Sequence, residues 1–346
     1  MKRLKKIMAV FLAFTVFCGL GTGLPQDILP MCYAYATEAS SDDDFSYRLI
    51  NEGAQVEITK YNGSSVAVEI PETIDGKVVS SIGTSAFKNC KSLGSIVIPE
   101  NVTVISDNAF NGCTGMTQVT INGNGLERIE NHAFGNTGIT GITLPEKVNY
   151  IGAAFTNCKA LTSIVIPENV KELSSYYYYS DINGTFTGCT SLVSVTLPST
   201  IESISDCAFQ GCNKLETITL PESINKLGKD VFRDCTALSS ITLPKNITEV
   251  QSSAFRGCKS LRNIVIPEDV ISIGNNAFNG CSSLSSITLP NNITEIPDSA
   301  FRGCSSLKSI VIPENVTVIR VNAFNGCTGM TQVTINGNGL ERIENH

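Results

Sequence analysis

The sequence predicts a right-handed, α/β-type superhelical solenoid of about eleven 23-residue rungs, each a short parallel strand with an irregular or one-turn helical return. Three observations carry this. A short apolar phrase returns eleven times, marked by Phe87, Phe110, Phe134, Phe155, Phe186, Phe209, Phe232, Phe255, Phe278, Phe301 and Phe324, and seven of the ten intervals are 23 residues. After each phenylalanine, apolar residues fall on one side of an alternating pattern, as Leu93, Ile96 and Ile98 do with Ser95 and Val97 on the other side. That period of two belongs to a strand. Most such strands end on a proline, Pro99 in the first rung, which removes a ladder donor and suits a strand end.

The chain begins with Lys2, Arg3, Lys5 and Lys6, an apolar run from Ile7 to Leu20, and Ala34-Tyr35-Ala36. This is the pattern of a signal peptide over residues 1–36 cleaved after Ala36. Gly19, Gly21, Gly23 and Pro25 interrupt the run, which disfavours a membrane span, so no membrane insertion is expected once the signal is removed. Residues 37–46 are polar and acidic and read as a flexible spacer. Residues 47–82 read as an N-terminal β cap and lead-in to the first rung. There Val56 and Ile58 alternate, then Val66, Val68 and Ile70, with Asn62-Gly63 between them as an expected hairpin turn. Asp75-Gly76 begins another turn into Val78 and Val79.

Residues 83–346 are the rungs. In each, a second apolar pair such as Val102 and Ile105 lies on the return path, and the stretch Asn108-Ala109-Phe110-Asn111-Gly112 suggests one helical turn ended by Gly112. Eleven rungs about 4.8 Å apart make a rod or arc on the order of 50 Å long. The spacing stretches between Leu173 and Phe186, where residues 174–184 form an inserted loop carrying Tyr176, Tyr177, Tyr178 and Tyr179. Residues 310–346 repeat residues 96–132 with two differences, Arg320 for Ser106 and Val321 for Asp107. The second copy stops in mid-rung, so a fragment of a longer protein is expected.

Without residues 1–36 the chain holds 21 basic against 31 acidic groups, a net charge of −10, and no basic cluster. Nucleic acid is therefore not an expected partner. Ten of the cysteines share one phase of the repeat, from Cys90 to Cys327. Equivalent side chains on stacked rungs point in parallel, whereas a disulfide needs converging Cβ atoms. They read as buried free thiols, small apolar spacers, with Thr137 filling the slot in the third rung. Cys207 lies out of phase, in a slot held elsewhere by Asn108, Ser253 or Asn276, and is expected to face outward.

The rung Ile-x-x-x-Ala-Phe-x-x-Cys-x-x-Leu-x-x-Ile-x-Ile-Pro resembles the BspA-like, or Treponema-type, leucine-rich repeat family over roughly residues 71–346. The resemblance implies a leucine-rich repeat solenoid and a secreted or surface-displayed bacterial protein, with adhesion as the implied role. It names no ligand.

Chemistry finds little purchase. The two histidines, His132 and His346, occupy equivalent positions of the duplicated block, and neither has a catalytic partner in the pattern. No Cys-x-x-Cys pair or histidine cluster suggests a metal, and a glutamate edge running from Glu100 to Glu314 is broken by Ser199, Lys245 and Asn291. No catalytic residue, cofactor or metal is assigned, and the chain reads as a non-enzyme. The expected binding residues are Tyr176–Tyr179 and the outward threonines Thr196, Thr219 and Thr242 of the strand face. The expected function is a secreted, cell-surface or cell-wall binding module, adhesin-like, for a protein or glycan partner. The alternatives are a structural spacer or surface-layer component projecting a missing downstream domain and, last, the targeting arm of a larger enzyme.

Overall fold

A computed structural model describes residues 42–179 and 181–345. The signal segment and the first residues of the acidic spacer lie outside the described residues. The first strand starts at Phe45, within the segment read as spacer, because Phe45 is buried at the head of the core.

Strand β1 (Phe45–Ile50) pairs antiparallel with β2 (Gln55–Tyr61) through a turn in which Asn51, Glu52 and Gly53 all have positive φ. The hairpin expected at Asn62-Gly63 therefore lies elsewhere. The reason is Tyr61. Its N–H donates to the carbonyl of Ala86 at 2.8 Å, and its ring stacks on Phe87 at 5.1 Å, so it takes the place of a rung phenylalanine. Gly63 lies so close to the Tyr61 ring that a Cβ there would overlap the hydroxyl. The chain then continues into a rung rather than doubling back. Strand β3 (Ala67–Glu69) pairs in parallel with Ser95–Ile98. The two-residue turn at Asp75-Gly76 forms as the sequence predicts, joining β4 (Thr73–Ile74) to β5 (Lys77–Ile82) antiparallel, with both turn residues at positive φ.

The chain is a β-solenoid of about 13 turns, slightly more than the eleven phenylalanine rungs. The extra turns arise because β2 precedes the first phenylalanine and Arg342–Ile343 follows the last. The most regular ladder is on the return path. It runs from β2 and β5 through Val104–Ile105, Arg128–Ile129, Tyr150–Ile151, Glu172–Leu173 and Ser203–Ile204 to Lys226–Leu227. Strand pairing on the open face is intermittent. Ser95–Ile98 pairs with Gln118–Ile121, and Ser163–Val165 with Ser194–Thr196, but residues 140–144 and 217–220 form no strand. Gly141, without a side chain to pack, weakens the first of these gaps; nothing in the structure explains the second.

Between the two ladders, turns follow one another. Val102 donates to Pro99 at 3.2 Å, and the equivalent bond recurs from Val148 to Pro145 and from Val316 to Pro313. The phenylalanine edge forms no helix. Asn108 (φ 58°) and Gly112 (φ 79°) are both left-handed, and only three residues lie between them. A helical turn cannot propagate through such positions.

The phenylalanines form one continuous column. Ring centroids of successive rungs lie 4.9 Å apart at Phe87–Phe110 and 5.7 Å at Phe155–Phe186, with near-parallel planes in between. Burying each ring contributes about 1.5–3 kcal/mol. The N–H of each phenylalanine from Phe87 to Phe301 reaches the next rung, as from Phe110 to the carbonyl of Ala133 at 2.7 Å.

The thiols do more than fill space. Cys113 Sγ donates to the Phe87 carbonyl at 2.9 Å, Cys235 to Phe209 at 3.1 Å, and Cys304 to Phe278 at 3.2 Å. The in-phase cysteines from Cys113 onward thus tie their rungs to the ones before, whereas Thr137 donates within its own rung, to the Phe134 carbonyl at 2.8 Å. Burial pushes these thiols up, to about 12 for Cys281 and about 11 for Cys158.

Candidate binding site

The inserted segment is a hairpin. Ser175–Tyr178 pairs antiparallel with Asp181–Gly184, in the register Tyr176 to Asn183 and Tyr177 to Ile182. Thr185 Oγ1 closes its base on the Ser174 carbonyl at 3.0 Å. The alternation of a strand sends successive tyrosines to opposite sides. Tyr176 and Tyr178 share one side, their rings near-parallel with centroids 6.4 Å apart. Tyr176 meets His132 of the Phe134 rung edge to face at 5.4 Å. Tyr177 turns the other way and donates to Asp206 Oδ2 of the Phe209 rung at 2.9 Å. Tyr177, Tyr178 and Tyr179 are 59%, 58% and 93% exposed, while Tyr176 is half-buried.

The structure overturns the expectation for Cys207. That residue is buried, not outward-facing, and the hairpin lies beside it, with Tyr177 bonded to the neighbouring Asp206. Burial, with Asp230 and Asp206 nearby, pushes its thiol up to about 12. Burial and the raised pKa both work against reactivity at neutral pH.

On its other side the hairpin encloses a depression of about 500 Å³ against the phenylalanine edge of the first four rungs. Asn108, Asn111, His132, Asn136 and Asn157 form the floor; Tyr176, Tyr178, Asp181 and Asn183 form the wall. The floor follows from backbone geometry. The positions two before and two after most rung phenylalanines have positive φ, as at Asn108, His132, Asn136 and Asn157. Asparagine tolerates that conformation, so amides collect along one edge. Asn111 Nδ2 donates to Asn108 Oδ1 at 2.8 Å, and Asn136 Nδ2 to Asn111 Oδ1 at 3.2 Å. Burial lowers the pKa of His132; Asp107 opposes this and Lys88 adds to it.

Sequence reasoning found the tyrosines but missed His132 and the asparagines. The signal that could have found them is the run of Asn and Gly at fixed offsets from each phenylalanine. Thr196, Thr219 and Thr242 are exposed and share the strand face of three consecutive rungs. They are separated along each rung from the hairpin edge by the turn carrying the phenylalanine and cysteine. The tyrosines and threonines therefore form two surfaces, not one.

The description of a BspA type leucine rich repeat region matches in six copies over residues 80–183, 182–267 and 248–346. No curated protein matches the chain. Among solved structures, a leucine rich cell surface protein from Faecalibacterium prausnitzii is 28% identical, with 88% of this chain and 96% of that one covered and a TM-score of 0.61. A leucine-rich repeat protein from Bacteroides ovatus is 28% identical, covering 87% of this chain and 94% of that one, with a TM-score of 0.49. The repeats, the phenylalanine column and the match over most of its length place this chain in the BspA type leucine rich repeat family.

Proposed function

We propose that this chain is a secreted or cell-surface bacterial binding module that engages a protein or glycan partner through the inserted hairpin and, as a second surface, the strand face. The observation that carries the reading is the hairpin itself. Three tyrosines are exposed on a segment held at both flanks, by Tyr176 on His132 and by Tyr177 on Asp206. Exposed tyrosine on a rigid support gives contact area at low entropic cost. The family supports a surface role, and the similar protein from Faecalibacterium prausnitzii is described as a cell surface protein. Export by residues 1–36 belongs to the same proposal. Among the described residues no helix is long and apolar enough to cross a membrane.

A binding screen of the full chain against host matrix proteins, mucin glycans and bacterial wall fragments tests this, run beside a variant with Tyr176–Tyr179 replaced by serine. Saturable binding that the variant loses supports the module and its site. Absence of binding in every class moves the weight to a structural spacer.

A further inference from the structure

We propose that the depression between the inserted hairpin and the first four rungs is a carbohydrate site that takes an uncharged pyranose residue of a glycan. The proposal rests on the surface-binding reading and narrows it to one pocket and one ligand chemistry.

The lining argues for it first. The floor presents amides, and an amide sets a donor beside an acceptor. A sugar hydroxyl both donates and accepts, so amide and hydroxyl pair in either sense. These amides have capacity to spare. Among the described residues, Asn157 and Asn183 make no side-chain hydrogen bond, and Asn108 uses only its carbonyl oxygen.

The wall supplies what hydroxyls do not need. A pyranose has an apolar face of C–H groups, and Tyr176 and Tyr178 bring two near-parallel rings to the same side of the depression. The edge contact with His132 fixes the Tyr176 ring before any ligand arrives. Fixing a contact surface in advance lowers the entropic cost of binding.

Other ligand classes fit less well. Lys88 and Asp181 are the only two oppositely charged residues in the lining, so no net charge draws a phosphate or a polyanion. No Leu, Ile, Val or Met lines the depression, which leaves a lipid or an apolar peptide anchor without a seat. Among the described residues no three His, Cys, Asp or Glu side chains gather to hold a metal ion. The volume, about 500 Å³, falls within the range of small-ligand pockets.

The repeat supplies variants that fold. Ser85, Ser253 and Ser299 occupy the slot of His132 in other rungs, and Gly112, Gly188 and Gly211 occupy that of Asn157. His132→Ser and Asn157→Gly therefore remove ligand contacts while keeping a residue the backbone already accepts. The full chain is applied to a printed array with two arms, neutral host O- and N-linked glycans and neutral bacterial wall polysaccharides, each beside sialylated or phosphorylated counterparts. The expected result is saturable binding to neutral pyranose-terminated probes in one arm or both; the arm identifies the source. His132→Ser and Asn157→Gly should each weaken it about tenfold, the loss of one good hydrogen bond or ring contact. Ile271→Ser, an exposed residue on the return path of a distant rung, should leave it unchanged. If a floor variant unfolds in a thermal melt, Tyr176→Ser, outside the phenylalanine column, carries the same expectation. Binding to no saccharide, binding only to charged probes, or affinity unchanged in folded floor variants would overturn the proposal. A protein ligand still held through Tyr177–Tyr179 would in that case leave the surface-binding reading standing.

Discussion

Tyr176 meets His132 with 5.4 Å between ring centroids and 87° between planes, joining the inserted hairpin to the edge of the Phe134 rung. The contact gives the hairpin a titratable partner. Burial lowers the His132 pKa in the folded chain, with Lys88 acting the same way and Asp107 opposing. The folded state then binds fewer protons than the unfolded one. Stability from this site is full above the ordinary imidazole value of about 6.5 and is lost as pH falls below it. Thermal melts between about pH 7.5 and 5 should show the wild-type chain losing stability relative to His132→Ser. Parallel curves for the two proteins would rule this out.

The phenylalanine column should be the costliest place to cut. Phe232 is fully buried and stacks on both Phe209 and Phe255. Phe232→Ala should cost about 3–5 kcal/mol in urea unfolding, and Phe232→Leu less. A loss under about 1 kcal/mol for the alanine variant would show that the column is not the main support.

The thiol ladder predicts a pattern of protection. Among the described residues only Cys90 and Cys327 are half-buried, and the other nine cysteines are buried. Brief alkylation mapped by peptide mass should label Cys90 and Cys327 and spare Cys207 with the rest. Labelling of Cys207 in the native chain would contradict its burial.

Alkali should unfold the array through the same ladder. Folding raises the buried thiols above their ordinary value of 9.0, to about 12 at Cys113 and about 11 at Cys158. Their contribution is full below pH 9 and is lost as pH rises through the folded values. A urea midpoint that falls steeply above about pH 9 is expected. Cys235→Thr should soften the fall, since Thr137 shows that the slot accepts a hydroxyl. An unchanged midpoint across that range would remove the ladder from the account.

The left-handed slots are tested at Gly280. Its φ is 77°, and an added Cβ would meet only the Gly257 backbone at an ordinary 3.7 Å. Space is not the constraint; conformation is. Gly280→Val should cost about 1–2 kcal/mol and Gly280→Asn clearly less. Equal losses would point to crowding instead.

The rung was legible because its signals are periodic. Phenylalanine, cysteine and proline recur at fixed offsets, and the insertion shows as an interval of the wrong length. What was not legible depends on backbone sign and on contacts between rungs. Asn62-Gly63 has the composition of a hairpin turn, yet Tyr61 is drawn onto Phe87 and carries the chain into a rung. Asn108 and Gly112 look like the ends of a helical turn, but positive φ at both forbids one. Cys207 sits in a slot that holds polar, half-buried residues on most other rungs, and only the packing between rungs shows that here it is interior. The depression was hidden for the same reason. Its floor and wall come from rungs far apart in sequence, and no local pattern records that the hairpin leans back toward His132.

The measurement closest to the central claim is hydrogen exchange of the full chain with and without the tightest ligand from the binding screen. The account predicts new protection in residues 175–184 and in the rung edges at His132 and Asn157. Protection confined to the strand face around Thr196, Thr219 and Thr242, with the hairpin unchanged, would contradict it.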